Sequence, residues 1–473
     1  MEDDRGRRVV ADELHGKHVV VIGFARQGQA LARWLPGIGA RVTVTDARPE
    51  ESFGEVLASY RACGVRFVLG GHPLNLLDDA DVLCVSGGVP LTAPLVAEAF
   101  RCGVPVTNDA QLFMARCPAQ TIGITGSAGK TTTTSLVGAM CRAAGRVTHV
   151  GGNIGDVLLD VLPAIQPSDV VVMELSSFQL ELMTASPAIG AILNITPNHL
   201  DRHGTLEAYA AAKANLIRYQ KADDLAILGR DDPGAAALAG VAPGRVAWFS
   251  AREVVADGAY LDGGRLTVVG MASPEGLPQA VLPRAEVPLR GAHNVLNALA
   301  ACAIAGAAGI PPETLAAAIR TFRSVAHRLE VVRVRDGVTW VNDSIATAPE
   351  RVLAAVRSYD EPLVLLLGGK DKNLPWDGLI DLVVQKARAV VTFGAHGPVV
   401  AALLHQALAR GAEGLLAPER VREAVTLEEA VAAAAALARP GDVVLLSPGG
   451  TSYDAYRDFE ERGAHFRALV NAL

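Results

Sequence analysis

At 473 residues the chain exceeds one ordinary hydrophobic core, so two to four domains are expected. Half of its residues are apolar and 20% are charged, which reads as globular and soluble, and a net charge of −7 argues against a general binder of nucleic acid or anionic membrane. No apolar run approaches the roughly 20 residues of a membrane helix, and six scattered cysteines without C-x-x-C suggest a reducing cytoplasm and no structural metal. The opening "MEDDRGRR" puts acids first and has no apolar segment, so it is not read as a signal peptide; Arg5 to Arg8, balanced by Glu2, Asp3 and Asp4, reads as a solvated tail.

Residues 1–109 alternate strand and helix patterns. "KHVVVIGF" and "RVTVTDA" read as buried strands around the helix-like "QGQALARWLPGIG", and "DVLCVSGG" and "VPVTND" supply later strands. Such alternation predicts a parallel, doubly wound sheet. The turn "VVVIGFARQGQA" invites a dinucleotide reading, with Asp46 lying 23 residues after Gly23. The pattern G-x-G-x-x-G, however, requires glycine where Ala25 stands, which weakens an NAD-dependent oxidoreductase. A tight βα turn and a site for a different diphosphate at the helix start both remain open, and "SGG" at Ser86–Gly88 could line the same crevice.

Residues 110–324 begin with "TIGITGSAGKTTTTSLVGAM". The pattern G-x-x-x-x-G-K-[ST] is incomplete, because Ile124 occupies the first glycine position. Even so, a strand leads into Gly126, Ser127, Ala128 and Gly129, and Lys130, Thr131 and Thr132 open a helix. Glycines let backbone N–H groups turn inward as an anion nest, to which the helix adds its positive end. Lys130 would reach terminal phosphates and Thr131 would ligate Mg²⁺. Glu174 ends the apolar strand "DVVVMEL", where a lone carboxylate would be costly, so it is read as a metal ligand facing the phosphates. "AIGAILNIT" and "DLAILG" are further strands, with Asn194, His199 and Asp201 just past the first and Lys213 inside an alanine-rich helix. The i,i+4 pair His199 and His203 is discounted as a zinc site because a turn is expected there. From spacing alone His199 is a core or loop histidine, since Mg²⁺ prefers oxygen. Only seven of 43 basic residues are lysines, so each lysine hints at chemistry closed to arginine. Residues 240–290 read as β-type, followed by the helix-like "HNVLNALAACAIAGAAG", in which Asn294 and Asn297 could serve as helix caps.

Residues 325–473 repeat the βα rhythm in "VTWVND", "PLVLLLGG", "RAVVTFG" and "DVVLLSPGG". "SVAHRLEVV" reads as a hinge and the alanine-rich 430–437 as helix.

In order and spacing, "ITGSAGKTTTT", "GGNIG", "ELSSFQLE", "NITPNHLDRH", "AAK", "GAHNVLNALAA", "HRLE", "NDSIAT", "LLLGGKDK" and "LLSPGGTSYDAYRDFEERG" resemble the Mur ligases over residues about 17 to 470. "ELSSFQLE" is most similar to the branch that joins glutamate to UDP-N-acetylmuramoyl-L-alanine. The resemblance implies an α/β chain of three domains: a Rossmann-like domain (1–109) for the UDP substrate, a central P-loop-type ATPase domain (110–324) and a Rossmann-like domain (325–473) for glutamate. It implies a cytoplasmic, monomeric enzyme of peptidoglycan synthesis that converts a carboxylate to an acyl phosphate with ATP and lets an amine displace phosphate. Thr131 and Glu174 would hold one Mg²⁺, and His199 with Lys213 a second, Lys213 acting as an oxygen ligand after taking up CO₂ as a carbamate. Asn153 would contact the acceptor, and Asn294 and Asn297 the adenine side of ATP. Arg328 and Asp343 would reach ATP from across the hinge. Thr347, Lys372, Ser452 and Phe459 would receive glutamate, while Arg26, Gln27, Asp46, Arg48, Ser86 and Gly88 would face the UDP moiety. Three departures stand out. Ile345 replaces a lysine carried by many relatives, which removes one positive charge near ATP or glutamate, leaves L-glutamate open as the substrate, and draws attention to nearby Lys370. Asn198 stands where relatives are often acidic, and the "SPGGTSYD" loop differs from other versions of its motif.

Overall fold

The computed structural model describes residues 12–155, 157–323, 325–372 and 374–473, without the side chain of Asp201. The tail around Arg5 and Arg8 therefore lies outside the described residues. Chain contacts divide the protein into two compact units, Met1–Glu286 with Leu296–Arg320, and Val287–Val295 with Thr321–Leu473.

In the first unit, β1 (His18–Ile22), β2 (Arg41–Asp46), β3 (Arg66–Leu69), β4 (Val82–Val85) and β5 (Val106–Thr107) form a parallel sheet in the order β3-β2-β1-β4-β5. Val19, Val20, Val21 and Ile22 are fully buried, as an unbroken apolar run covered on both faces requires. The strand order reverses between β1 and β4, which brings the Gly23 turn and the Ser86–Gly88 turn to one crevice.

The central sheet comprises β6 (Gln120–Thr125), β7 (Thr148–Gly152), β8 (Val170–Glu174), β9 (Ile189–Ile192), β10 (Leu225–Gly229), β11 (Arg245–Ser250), β12 (Gly258–Asp262), β13 (Arg265–Gly270) and β14 (Gly276–Pro283). Its order is β14-β13-β12-β11-β10-β9-β6-β8-β7. The strands from β7 to β12 run parallel to their neighbours, and β12, β13 and β14 pair antiparallel. Gly263 and Gly264, with φ of 52° and 80°, form the two-residue turn between β12 and β13, a shape that favours glycine. β6 lies inside the sheet between β9 and β8, so its C-terminal end faces a second crevice. One apolar core joins the two sheets of this unit: Phe24, Leu31 and Leu35 share it with Leu175, Leu180 and Tyr209.

The second unit carries β15 (Glu330–Arg335), β16 (Val338–Asn342), β17 (Leu363–Gly368), β18 (Ala387–Phe393), β19 (Val421–Glu423) and β20 (Val443–Gly449), in the order β15-β16-β20-β17-β18-β19. Only the edge strand β15 is antiparallel. Separate apolar clusters cover the two faces, with Leu365 on one and Leu366 on the other. The alanine-rich stretch lies in the helix Leu427–Leu437. Among the described residues no helix is long and apolar enough to cross a membrane. Cys84 and Cys302 are core residues, and burial pushes both thiols up to about 12.

Candidate active site

The loop after β6 is braced from beneath. Asn194 copies a backbone strand, accepting from the Ala128 N–H at 2.8 Å and donating to the Ala128 carbonyl at 3.1 Å. The Ser127 hydroxyl donates to the Thr196 carbonyl and accepts from the Thr196 N–H, both at 2.9 Å, while the Tyr209 hydroxyl donates to it at 3.1 Å. Gly129 has φ 84°, and a Cβ there would stand 2.3 Å from Asn297 Oδ1, so glycine is required on two counts. No side chain caps the helix Lys130–Ala143, and its positive end faces the loop. Lys130 Nζ folds back to donate to the Gly126 carbonyl at 2.8 Å.

Glu174, 2% exposed, accepts from Thr131 Oγ1 and from Asn153 Nδ2, each at 2.8 Å. Three candidates from three chain segments thus meet in one hydrogen-bonded chain. Lys213 is 1% exposed on the helix Leu206–Arg218. Its Nζ donates to Thr125 Oγ1 at 3.1 Å and stands 4.8 Å from the Tyr209 ring centre. Burial pushes its pKa far below the ordinary lysine range; the charge of Lys130 adds to this and that of Glu174 opposes it. A lowered pKa favours the neutral amine, the form that takes up CO₂, so the residue fits a carbamate. Thr131 and Glu174 present adjacent hard oxygen donors, as Mg²⁺ prefers. Among the described residues no three His, Cys, Asp or Glu side chains cluster around one point, so a metal here would depend on this mixed set.

His199 adopts φ 54° at the start of the one-turn helix Leu200–His203, where a turn was expected. Its ring meets Phe178 edge-on at 5.1 Å, and His203 stacks on Phe178 at 5.4 Å while bonding Ser177 Oγ at 3.0 Å. The two histidines thus flank one aromatic ring. Arg202 lies over the same ring, 3.9 Å from its centre, and donates to the Val89 carbonyl at 2.6 Å, tying this segment to the turn after β4.

The candidate diphosphate residues of the first sheet largely brace their own turns. Ser86 Oγ donates to the Gly23 carbonyl at 3.0 Å, and the Gly87 N–H donates to Gln27 Oε1 at 2.9 Å. Asp46 accepts from the Phe24 N–H at 2.7 Å and from Arg48 through its backbone N–H and guanidinium. Burial alone would raise its pKa, but these bonds with Arg48 and Phe24 hold it at about 2. Arg26 and Gly88 are both exposed. A Cβ at Gly28 would stand 1.9 Å from the Gly23 carbonyl oxygen, so this glycine serves close packing of the turn.

In the second unit Asp343 accepts from Ser447 Oγ at 2.8 Å and the Leu329 N–H at 3.1 Å. Burial pushes its carboxyl up to about 7, against the bond from Ser447 and the charge of Arg328 and Arg351. Arg328 lies between His327 and Leu329, both at positive φ. Lys372 Nζ donates to Thr347 Oγ1 at 3.3 Å. Lys370 and Thr451 exchange both backbone bonds at 2.8 Å, which sets the two loops side by side and places Ser452 next to them. The Phe459 carbonyl accepts from Ser344 Oγ at 2.8 Å. Asn294 donates to the Arg290 carbonyl at 2.7 Å, a local bond near the start of the helix Ala292–Ala307.

Sequence reasoning passed over Arg462. It is fully buried and donates to the carbonyls of Ser344, Gly450 and Thr451 and to Ser344 Oγ, joining the "NDSIAT" and "SPGGTSYD" loops. It also passed over Tyr209 and Thr125. The i,i+4 spacing of Tyr209 and Lys213 was the available signal, since it places both on one helix face.

Family models match most of the chain: the Mur ligase MurD-like N-terminal domain at residues 17–108, the Mur ligase middle domain at 124–305 and the Mur ligase glutamate ligase domain at 327–450. The chain is 43% identical to the UDP-N-acetylmuramoylalanine–D-glutamate ligase of Pelotomaculum thermopropionicum, covering 97% of this chain and 98% of that one. It is 42% identical to the protein of the same name from Symbiobacterium thermophilum over equal shares. Among solved structures, the UDP-N-acetylmuramate-alanine ligase MurC of Thermotoga maritima matches with TM-score 0.59 at 19% identity over 96% of this chain and 99% of that one. The MurF ligase of Thermotoga maritima, in complex with ADP, matches with TM-score 0.56 at 16% identity over 98% and 97%. These two show the fold; the family models and the near-full-length relatives show that the chain belongs to the Mur ligase family.

Proposed function

We propose that this protein joins D-glutamate to UDP-N-acetylmuramoyl-L-alanine at the expense of ATP, in the cytoplasmic synthesis of peptidoglycan precursors. The observation that carries this is the meeting of Thr131, Glu174 and Asn153 beside a phosphate loop with Lys213 buried below it, in a chain 43% identical to a ligase of that name. A carboxylate is a poor electrophile at neutral pH. Its oxygen attacks the γ-phosphorus, ADP leaves, and the acyl phosphate carries a good leaving group. The glutamate amine then adds to the acyl carbon, a proton is lost, and phosphate departs with the former carboxylate oxygen.

The loop N–H groups and Lys130 would stabilise charge on the transferring phosphoryl group. Thr131 and Glu174 would hold one Mg²⁺ and His199 with carbamylated Lys213 another; bound metal would offset the repulsion between two anions. Asn153 would orient the acceptor while bonded to Glu174. Ser127, Ala128, Gly126, Gly129 and Thr132 would cradle phosphate, with Asn294, Asn297, Arg328 and Asp343 serving the rest of ATP. Arg26, Gln27, Asp46, Arg48, Ser86 and Gly88 would shape the UDP crevice, and Thr347, Lys372, Ser452 and Phe459 the glutamate pocket. We assign these roles to domains 1–109, 110–324 and 325–473 of a monomer.

Phosphate release from ATP, with UDP-N-acetylmuramoyl-L-alanine and either enantiomer of glutamate, tests this. Release with D-glutamate alone is expected. No release with either ends the ligase assignment, and release only with L-glutamate moves the protein to a sister specificity. In the same assay Lys213→Arg should be inactive, because a guanidinium forms no carbamate; an active variant removes that role.

A further inference from the structure

The start of the helix Pro349–Arg357 gathers more positive charge than one lysine at the glutamate pocket provides. Arg351, exposed in the first turn, donates to the Ile345 carbonyl at 3.3 Å. Lys372 donates to Thr347 Oγ1, two residues along the same loop. Burial lowers the Lys372 pKa and the neighbouring charge of Arg351 lowers it further, with Glu350 opposing. Arg351 also acts on the buried Asp343 carboxyl. Ile345 is half-buried and brings no charge of its own. Two cations thus meet at a helix start where the backbone is already positive, with the Glu350 carboxylate of the same turn offsetting them in part, so a further anion is favoured there.

We propose that Arg351 is a substrate-binding residue which, with Lys372 and Thr347, holds a carboxylate of the incoming glutamate. This rests on the ligase assignment above. Glutamate brings two carboxylates, and a planar guanidinium can grip one of them through two parallel bonds where an ammonium offers a point charge.

The test is steady-state phosphate release at saturating ATP and UDP-N-acetylmuramoyl-L-alanine with varied D-glutamate. Arg351→Ala should raise the KM for glutamate about tenfold or more, as loss of a charged hydrogen bond does, with the KM for ATP within about twofold of wild type. Arg351→Glu should raise it further. Acidic residues are favoured in a first helical turn, so that loss is not a folding defect. A glutamate KM within about twofold of wild type in Arg351→Ala overturns the proposal, as does Arg351→Glu no worse than Arg351→Ala, or a rise confined to ATP. A wild-type enzyme without glutamate-dependent release fails the ligase assignment itself and this proposal with it; an active wild type isolates Arg351.

Discussion

Asp109 shows how one side chain can set a pH response. It is buried between the two sheets of the first unit, where Gln179 Nε2 approaches one carboxyl oxygen at 3.5 Å and the other oxygen has no hydrogen-bond partner. Ala110, Phe113, Gly152, Leu158 and Met173 line a small void beside it. Burial pushes the carboxyl up to about 6, opposed by N–H bonds, Gln179 and the charge of Arg26. Between the ordinary carboxylate range and about 6, the folded chain therefore holds a proton that the unfolded chain has released. Its stabilising effect is complete below that range and fades as pH rises through about 6, by roughly 3 kcal/mol at most. Asp109→Asn should flatten this slope when urea unfolding is compared at pH 4.5 and 7.5, and an unchanged slope would contradict it. Neither Asp109 nor Arg462 could be recognised from the sequence. Each owes its burial to distant segments, and an isolated Asp or Arg in a polar stretch reads as solvated.

Among the elements, the phosphate loop was the most legible, because strand, glycine turn and helix follow one another locally and each signals its own kind. Its partners were legible as apolar strand ends bearing a polar residue, which is how Glu174 drew notice. The placement of His199 was not legible from spacing, since it rests on Phe178 and on a left-handed backbone turn. Gln27, Ser86 and Asp46, which the resemblance sets toward the UDP moiety, each also bond an adjoining turn, a pairing that sequence spacing does not show. In the second unit Arg462 performs the same bracing for two loops at once. Arg462→Ala would leave buried carbonyls of Ser344, Gly450 and Thr451 without that donor and should cost about 3 kcal/mol or more. Lysine lacks the planar fork and should not rescue it. Hydrogen exchange should quicken at residues 344–347 and 450–452; unchanged protection in Arg462→Ala would refute the brace.

Across the whole molecule, the alternation of strands and helices foretold an α/β chain in three segments, and three sheets are present. What periodicity did not convey is that the first two sheets share one apolar core and lie in a single compact unit. Such sharing depends on which faces meet, and strands buried on both faces carry no mark of their partner. The phosphate loop belongs to this unit and the Lys372 cluster to the other. In the proposed reaction the loop passes phosphate to a carboxylate rather than to water. The direct test is oxygen-18 placed in the carboxylate of UDP-N-acetylmuramoyl-L-alanine, followed by mass analysis of the phosphate released with D-glutamate and ATP. Each phosphate released should carry one labelled oxygen; unlabelled phosphate formed alongside the amide product would mean that no acyl phosphate forms.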